Sequence, residues 1–486
     1  MRRRTPVALL VAALLATPLP AHTYQLPDLG TSADRAMSPA QEARIGAEFL
    51  RNLRQHVEIV EDPEIRAYVR ALGNRLVSHA DGHRPDDFHF FVVNDSRINA
   101  FAAPGGYIGL NAGLVLAARE EDELAGVVAH EIAHVTQRHL ARAREAADEM
   151  SVPMAASILA AILLGGEDPQ LGQAALAATI AGSTQYQISF TRANEREADR
   201  VGMEMLARAG FDPEGMPRFF ERLQASNRFG ASVVPEFLMT HPVTLNRIAD
   251  ARNRAQQLDY SPAPDHGDFE HIQARLEVMV AREPATARRS FEEAIRETEG
   301  APWARYGLAL VLARDGETER GLSLVESLRE DDPDRLAYRL AEGRLLQQLG
   351  EDQRALARFR DTLDLFPGNE ATTLHLAETL LELDRPVEAR GLLRDYVRRH
   401  DRSPNSYRLL ARAEAGSGDV ARYHAALAEY YGRGGRAHEA IRQLRHALDA
   451  SHDDRLDQRL EARLDELRRQ ARIHDELERM QEEREE

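Results

Sequence analysis

The sequence predicts a mostly α-helical protein in which a small α+β domain precedes an all-α solenoid. Strand signals occur only in the N-terminal half, and a 34-residue period runs through the C-terminal half. The chain of 486 residues has room for about two to four domains. The predicted divisions are a leader at residues 1–21, an α+β domain at 22–260, a repeat domain at 265–450 and a charged helical tail at 451–486.

The leader has the order of a secretory signal peptide. Arg2, Arg3 and Arg4 precede an apolar run at 7–16, and two prolines then precede the small residue Ala21. The apolar run is shorter than the ~20 residues of a membrane helix, although a membrane anchor is the alternative interpretation. We therefore expect the protein to be exported.

Composition excludes several classes of function. The formal charge of -17 argues against a nucleic-acid partner, since such a protein needs an excess of positive charge. The absence of cysteine excludes a disulfide framework, a thiolate nucleophile and a Cys-type zinc site.

Local patterns predict the elements of the α+β domain. Ser38–Gln41 has the pattern of a helix N-cap followed by proline. Phe88–Val93 is rich in strand formers, and Ala100–Ala103 and Tyr107–Leu110 flank a Pro-Gly-Gly turn. From Leu114 to about Arg144 the sequence is helix-forming, with no proline and no internal break except Gly126.

Two apolar stretches, at residues 154–166 and 174–182, are each too short for a membrane helix. They are interpreted as a buried helical hairpin. The alternative is a lid or a flap that contacts the membrane near the active site.

The C-terminal half repeats with a period of 34 residues. Small residues recur in register at four positions, Ala309, Gly343, Ala377 and Ala411. Turn residues do the same at Gly316, Gly350, Asp384 and Gly418. This pattern is typical of tetratricopeptide repeats, in which each helix pair buries its apolar face against its neighbours.

Further helical segments flank the regular repeats. Ala287 and Phe291 lie in register with the pattern and indicate an earlier copy, and Ala437–Leu448 indicates a later helix. In the tail, leucines recur at helical spacing at 456, 460, 464 and 467. A solvated capping helix is the favoured interpretation, and a partner-binding coiled coil is the alternative.

The motif His130-Glu131-Ile132-Ala133-His134 predicts a zinc site. On a helix, positions i and i+4 share one face, so both imidazoles can bind one Zn²⁺. Glu131 would lie close enough to accept a proton from a water molecule at the metal without being a ligand.

A carboxylate ligand is expected from the segment Asn194–Asp199. Glu195 and Asp199 share a helix face, whereas Glu197 points elsewhere. Glu195 is assigned to zinc and Asp199 to a supporting position, where it would accept the other N–H of a ligand histidine. A solvated charged helix face is the alternative.

These motifs, together with Asn99–Gly106 and Thr240-His241-Pro242, resemble the M48 family of zinc metallopeptidases. The resemblance implies a zincin-type domain with one zinc ion per chain, held by His130, His134 and Glu195, with Glu131 as the catalytic base. Asp199 is predicted to be a catalytic residue together with Glu131. The roles of Asn246 and Arg247, which follow the histidine-proline motif, stay open.

Family members with a signal peptide and tetratricopeptide repeats act in the periplasm of Gram-negative bacteria. The resemblance implies quality control of outer-membrane β-barrel proteins: unfolded or misassembled ones would be substrates, and the repeats would contact the barrel assembly machinery. The alternative function is mainly that of a repeat-based chaperone or scaffold whose protease site is normally shut.

His241 has two predicted functional roles and one structural alternative. It could fill the open position of zinc and silence the enzyme, or stabilise the oxyanion of the intermediate. A packing or helix-capping role is the alternative. We expect an extended backbone at Thr240, and a supporting or structural role for Arg138 and His139.

Overall fold

A computed structural model describes residues 37–143, 145, 191–228, 235–262, 268–399 and 403–485. The described part is mostly helical with one small sheet, which confirms the predicted fold class. The predicted signal peptide at 1–21 and the apolar stretches at 154–166 and 174–182 lie outside the described residues. Within the described residues, no helix combines the length and the apolar character needed to cross a membrane.

The first two helices begin where their capping residues predict. Helix α1, Pro39–His56, starts with a capping box in which Ser38 and Gln41 bond to each other's backbone N–H groups. Helix α2, Pro63–Val77, follows Asp62, whose carboxylate accepts hydrogen bonds from two backbone N–H groups of the first turn.

Three strands form one sheet in the order β1-β3-β2. Strand β1, His89–Val93, pairs in parallel with β3, Tyr107–Asn111, and β2, Ala100–Ala103, pairs with β3 in antiparallel register. The predicted turn between β2 and β3 places Gly105 and Gly106 at φ values of 73° and 79°, a conformation that favours glycine. Among the described strands, β2 has only one neighbour, so one of its edges is unpaired.

The stretch expected to be helix-forming from Leu114 to about Arg144 is divided into separate helical segments in its described part. Helix α3, Ala112–Ala117, ends because Ala118 has an extended backbone. Helix α4, Glu121–Thr136, then begins with three acidic residues, which the helix dipole favours at that end. Arg138, with φ at 53°, ends this run, and a new helical segment starts at the next residue.

Helix α4 is the central element of the domain, and the next helices pack around it. These are α5 at residues 191–208, α6 at Gly215–Arg228, α7 at Glu236–Thr240 and α8 at Leu245–Ala255. Helices α4 and α5 approach closely at Gly202, where an added Cβ would lie 3.1 Å from the backbone of Ala129 and His130. The glycine therefore allows the two helices that carry the predicted zinc ligands to touch.

The C-terminal half is a stack of antiparallel helix pairs, as the 34-residue period predicts. An early pair, α9 at Asp268–Val280 and α10 at Pro284–Glu297, precedes the regular repeats. The regular pairs are α11 at Pro302–Arg314 with α12 at Thr318–Asp331, α13 at Leu336–Gln348 with α14 at Asp352–Leu365, α15 at Glu370–Glu382 with α16 at Pro386–Arg399, and α17 at Pro404–Gly416 with α18 at Val420–Arg433.

Two further helices end the stack. They are α19, Ala437–Ala450, and α20, Asp454–Glu485. The four leucines of the tail are buried against apolar residues of α18 and α19. This arrangement covers the last apolar face of the solenoid and fits the predicted capping helix.

The solenoid is joined to the α+β domain through helix α9. Phe269 and Ile272 pack into the same apolar cluster as the core of the first domain. The buried Arg275 donates to both carboxylate oxygens of Asp62, at 2.9 and 2.7 Å, and lies 2.9 Å from Glu64. The first helix of the repeats therefore belongs to both cores.

Candidate metal centre

Helix α4 presents two histidines to the same point. His130 and His134 lie one turn apart, and their Nε2 atoms are 3.0 Å from each other. The His130 side chain is fully buried, and the His134 side chain is 15% exposed. The i, i+4 spacing thus places two imidazole nitrogens beside one position at the edge of a cavity.

Helix α5 brings a carboxylate to this position. Glu195 Oε2 lies 3.5 Å from His130 Nε2, and Glu195 Oε1 lies 3.4 Å from His134 Nε2. Two imidazoles and one carboxylate are a ligand set typical of catalytic zinc.

His241 completes a group of four. Its Nδ1 lies 3.3 Å from His130 Nε2 and 3.1 Å from Glu195 Oε1. The ligand atoms of these residues and of His134 all lie within 4.8 Å of one another, so they can hold a metal ion together.

The backbone before His241 differs from the prediction. Thr240 is the last residue of helix α7 and is not extended. The steric restriction imposed by Pro242 acts on the residue directly before it, which is His241, and His241 does have a non-helical ψ of 83°. The expectation was therefore wrong by one position.

Glu131 lies beside the four ligand atoms but is not one of them. Its side chain is 1% exposed, and its Oε1 is 3.4 Å from His241 Nε2. This oxygen accepts no hydrogen bond from any of the described residues. A buried carboxylate oxygen without a partner is suited to accept a proton from a bound molecule.

Asp199 supports the group from behind. Its Oδ1 lies 3.0 Å from Nδ1 of His130, on the side of the imidazole that faces away from the other ligands. A carboxylate at this position orients the ring and fixes its tautomer, leaving Nε2 for a metal.

Arg247 is the site residue that sequence reasoning missed. This buried guanidinium on α8 donates to both carboxylate oxygens of Asp199, and its Nη1 donates to Glu195 Oε2 at 2.8 Å. Arg247 follows the histidine-proline motif in the sequence, but that position alone does not assign it a role. The sequence feature that could identify Arg247 as a site residue is its place on the apolar face of an amphipathic helix, where an arginine needs a carboxylate partner.

The carboxylates and the histidines influence each other's protonation. Burial lowers the pKa of His130, but the neighbouring carboxylates of Asp199 and Glu195 outweigh it and raise this pKa to about 10. Burial also opposes the charge on Glu195, yet His130 and His241 hold its pKa well below the usual range. The buried imidazole and the two carboxylates therefore stabilise each other's charged forms.

A second set of contacts lies on the outer side of His134. Its Nδ1 is 2.9 Å from Nδ1 of His139, and His139 Nε2 is 3.2 Å from Glu197 Oε2. Arg142 donates to the same Glu197 oxygen at 2.8 Å. Glu197 therefore lies away from the four ligand atoms, as its helical position indicates.

The site opens into a cavity of about 380 Å³. Strand β2 lines this cavity together with Glu131, His134 and His241. The cavity therefore connects strand β2 to the ligand atoms.

The donor set and its surroundings fit zinc. Imidazole nitrogens and a carboxylate oxygen suit this metal, and the Asp199 carboxylate behind His130 is a usual support for a ligand histidine. The structure gathers all six predicted site residues within contact distance of at least one other member.

Known proteins are similar along almost the whole chain. The family profile described as "Peptidase family M48" matches residues 63–255, and a tetratricopeptide repeat profile matches residues 346–413. The chain is 39% identical over 448 residues to the Beta-barrel assembly-enhancing protease of Escherichia coli (strain K12), with 91% of each chain covered.

Two further relatives extend the comparison. The Beta-barrel assembly-enhancing protease of Yersinia pestis is 36% identical over 450 residues, which cover 91% of this chain and 92% of that one. The Mitochondrial metalloendopeptidase OMA1 of Arabidopsis thaliana is 27% identical over 218 residues, which cover 44% of this chain and 41% of that one. The extent and identity of the bacterial matches show that this chain belongs to peptidase family M48, as a zinc metalloendopeptidase with tetratricopeptide repeats.

Proposed function

We propose that this enzyme is a periplasmic endopeptidase that hydrolyses unfolded or misassembled outer-membrane β-barrel proteins and assists the assembly of others. The observation that carries the proposal is the convergence of His130, His134 and Glu195 next to the buried Glu131. The printed names of the bacterial relatives support the class of substrate. The predicted signal peptide at residues 1–21 supports export.

In this proposal His130, His134 and Glu195 hold the zinc ion. When bound, zinc supplies a Lewis acid that polarises the scissile carbonyl and lowers the pKa of a water molecule towards about 7. Asp199 keeps a proton on His130 Nδ1, so that Nε2 is available as a ligand.

Glu131 moves the protons of the reaction. Its unsatisfied Oε1 accepts a proton as water attacks the carbonyl carbon, and the same carboxyl group then donates that proton to the leaving amine nitrogen. Burial of Glu131 keeps bulk water from competing for this position.

The substrate binds as an added strand along β2. Backbone hydrogen bonds to the edge of β2 that no described strand covers require an extended chain but little particular sequence. Because folded proteins seldom offer such a segment, this mode of binding favours unfolded chains. The cavity beside β2 would then lead the chain past Glu131.

The repeats would bring the client or the barrel assembly machinery to the protease domain. A stack of helix pairs offers an extended concave surface for a protein partner. The shared core around Phe269 and the ion pairs of Arg275 hold this surface in a defined position relative to the cleft.

One observation favours the second candidate function, a chaperone with a shut protease site. His241 Nδ1 reaches Glu195 and His130, where a fourth ligand would occupy the position that substrate and water need. In this role His241 keeps the site closed until its loop moves. If the loop turned outwards only slightly, the same imidazole could instead donate to the oxyanion.

The Glu131→Gln variant tests the proposed function. We expect cleavage of an unfolded outer-membrane protein to fall roughly 10²- to 10⁴-fold, as for the loss of a general base. Zinc should stay near one ion per chain, and client binding should persist. Glu120→Gln, at a side chain that is 59% exposed near the start of α4, is the matched control.

Two results would reject the proposal. Unchanged cleavage by Glu131→Gln would exclude the mechanism. Equal zinc content in the wild type and in His130→Ala, measured by elemental analysis, would exclude the assigned site.

A further inference from the structure

His134 is supported by a different set of contacts from His130. Nδ1 of His130 contacts a carboxylate, that of Asp199, at 3.0 Å. Among the described residues, the partner of His134 Nδ1 is not a carboxylate but a second imidazole, that of the buried His139, at 2.9 Å between the two Nδ1 atoms.

The contacts continue outwards from His139. Its Nε2 lies 3.2 Å from Glu197 Oε2, and Arg142 Nη1 donates to the same oxygen at 2.8 Å. Glu197 and Arg142 are 29% and 38% exposed, so the chain of contacts runs from the buried site to the protein surface.

Only one arrangement of protons satisfies these contacts when His134 Nε2 is a metal ligand. A ligand Nε2 carries no proton, so the neutral His134 ring carries its proton on Nδ1. His139 must then accept at Nδ1, and its own proton lies on Nε2, facing the Glu197 carboxylate. Two protonated Nδ1 atoms could not stand 2.9 Å apart as a hydrogen bond.

We infer that His139 and Glu197 form a relay that fixes the tautomer and the orientation of His134 for metal binding. This inference rests on the proposed function, because it takes His134 to be a ligand. Arg142 positions Glu197, and Glu197 holds His139 in the tautomer that can accept from His134. His139 and Glu197 are positioning residues, since neither belongs to the four residues that could hold the metal.

The backbone supports this assignment. Helix α4 ends at Thr136, and Arg138 adopts a left-handed φ of 53°, which is unfavourable for a residue other than glycine. The new helical segment that follows places His139 behind His134 instead of one more turn along α4. Without that break, His139 would point away from His134, because five residues along a continuous helix correspond to about 500° of rotation.

Zinc affinity tests the relay without depending on cleavage. The full chain would be titrated against a chromophoric chelator that competes for zinc. Loss of a supporting partner typically costs about 10- to 100-fold in metal affinity, and we expect this range for His139→Leu. His139→Asn, whose Oδ1 can accept in place of Nδ1, should recover most of the loss.

Variants of Glu197 test the outer part of the relay. Glu197→Leu removes the acceptor, so we expect a loss of zinc affinity of about 10-fold. Glu197→Gln keeps an acceptor oxygen and should lose less. Glu204→Gln, on the same helix and paired with Arg200 at the surface, is the matched control and should bind zinc like the wild type.

The outcomes separate the relay from the proposed function. If His134→Ala still binds zinc as the wild type does, His134 is not a ligand, and both the assignment and the relay are wrong. If His134→Ala loses zinc while His139→Leu and Glu197→Leu keep wild-type affinity, only the relay is wrong. If His139→Leu does not fold by circular dichroism, the more exposed Glu197→Leu decides the question.

Discussion

Arg247 donates two hydrogen bonds to Asp199, from Nε to Oδ2 at 2.8 Å and from Nη2 to Oδ1 at 2.7 Å. The same guanidinium donates to Glu195 from Nη1. One buried cation therefore balances two carboxylates that both approach His130. This fork holds the ligand carboxylate and the supporting carboxylate at a fixed distance from each other.

Replacing Arg247 by lysine should weaken zinc binding. An ammonium group cannot form the planar fork, so at least one buried carboxylate oxygen would lose its partner. We expect about 1–3 kcal/mol less stability and about 10-fold or more weaker zinc binding. Elemental analysis and thermal unfolding would measure the two effects.

Arg252→Lys is the control for this prediction. Arg252 lies on the same helix, and its partner Glu221 is 37% exposed, so the pair is at the surface. Its replacement should change stability by less than about 0.5 kcal/mol. Similar losses in both variants would contradict a special role for Arg247.

Gly202→Ala should destabilise the protein. Its new Cβ would lie 3.1 Å from backbone atoms of Ala129 and His130, so α4 and α5 would have to separate. Overpacking of this kind costs about 1–3 kcal/mol, of which the better helix propensity of alanine offsets up to about 1 kcal/mol. The shift moves Glu195 away from His130, so zinc affinity should fall too.

Gly391→Ala is the opposite case. Gly391 lies inside α16, and a Cβ there would meet nothing within 4 Å. We expect a gain of about 0.5–1 kcal/mol in the free energy of unfolding. Thermal unfolding of both alanine variants should therefore give shifts of opposite sign; a gain for Gly202→Ala would contradict the close contact.

His241→Ala separates the two proposed roles of His241. If this residue fills a metal position and shuts the site, the variant should cleave an unfolded substrate faster than the wild type while retaining zinc through the other three ligands. If it donates to the oxyanion, cleavage should fall roughly 10²- to 10³-fold. Unchanged cleavage, together with unchanged access of a small chelator to zinc, would exclude both roles.

Stability should depend on pH through Glu64 at the interface with the repeats. Burial, aided by repulsion from Asp62, raises the pKa of Glu64 from 4.5, although Arg275 and Arg344 act in the opposite direction. Above pH 4.5 the unfolded carboxyl group loses its proton while the folded one still keeps it. The contribution of Glu64 to stability is therefore largest at low pH and declines as pH rises towards the folded pKa.

Thermal unfolding of the wild type and of Glu64→Gln between pH 4.5 and 8 would measure this effect. The stability of the wild type relative to the variant should decrease as pH rises. Glu61→Gln, at a side chain that is 43% exposed just before α2, is the control for removing a carboxyl group that is not buried. A difference for Glu64→Gln that is constant with pH would contradict the prediction.

Local sequence patterns predict an element well where a residue type has one specific local role, such as a helix cap or a turn. The capping box at Ser38 begins a helix as expected, and the strand signals around Gly105 and Gly106 form a turn. The helix-forming stretch from Leu114 is interrupted at Ala118 and at Arg138, which are neither proline nor glycine. Such breaks are decided by packing, which propensity does not contain.

The residues of the site were predictable to different degrees. The spacing of His130 and His134 on a helix identifies two zinc ligands, and the match of Glu195 to the family motif identifies the third ligand. The positions of Arg247 and His139 relative to the ligands come from contacts between helices that are far apart in the sequence or separated by a break. No local period carries that information.

The zinc-site motif and the two-part architecture can be predicted from the chain alone, because the His-Glu spacing and the 34-residue period are local properties of a helix and of a helix pair. Three contacts are seen only in the folded protein: His241 reaches the ligand group, Arg247 joins Glu195 to Asp199, and His139 lies beside His134. These contacts form because a buried charge or a buried N–H group requires a partner. Which partner it finds depends on how closely the helices pack.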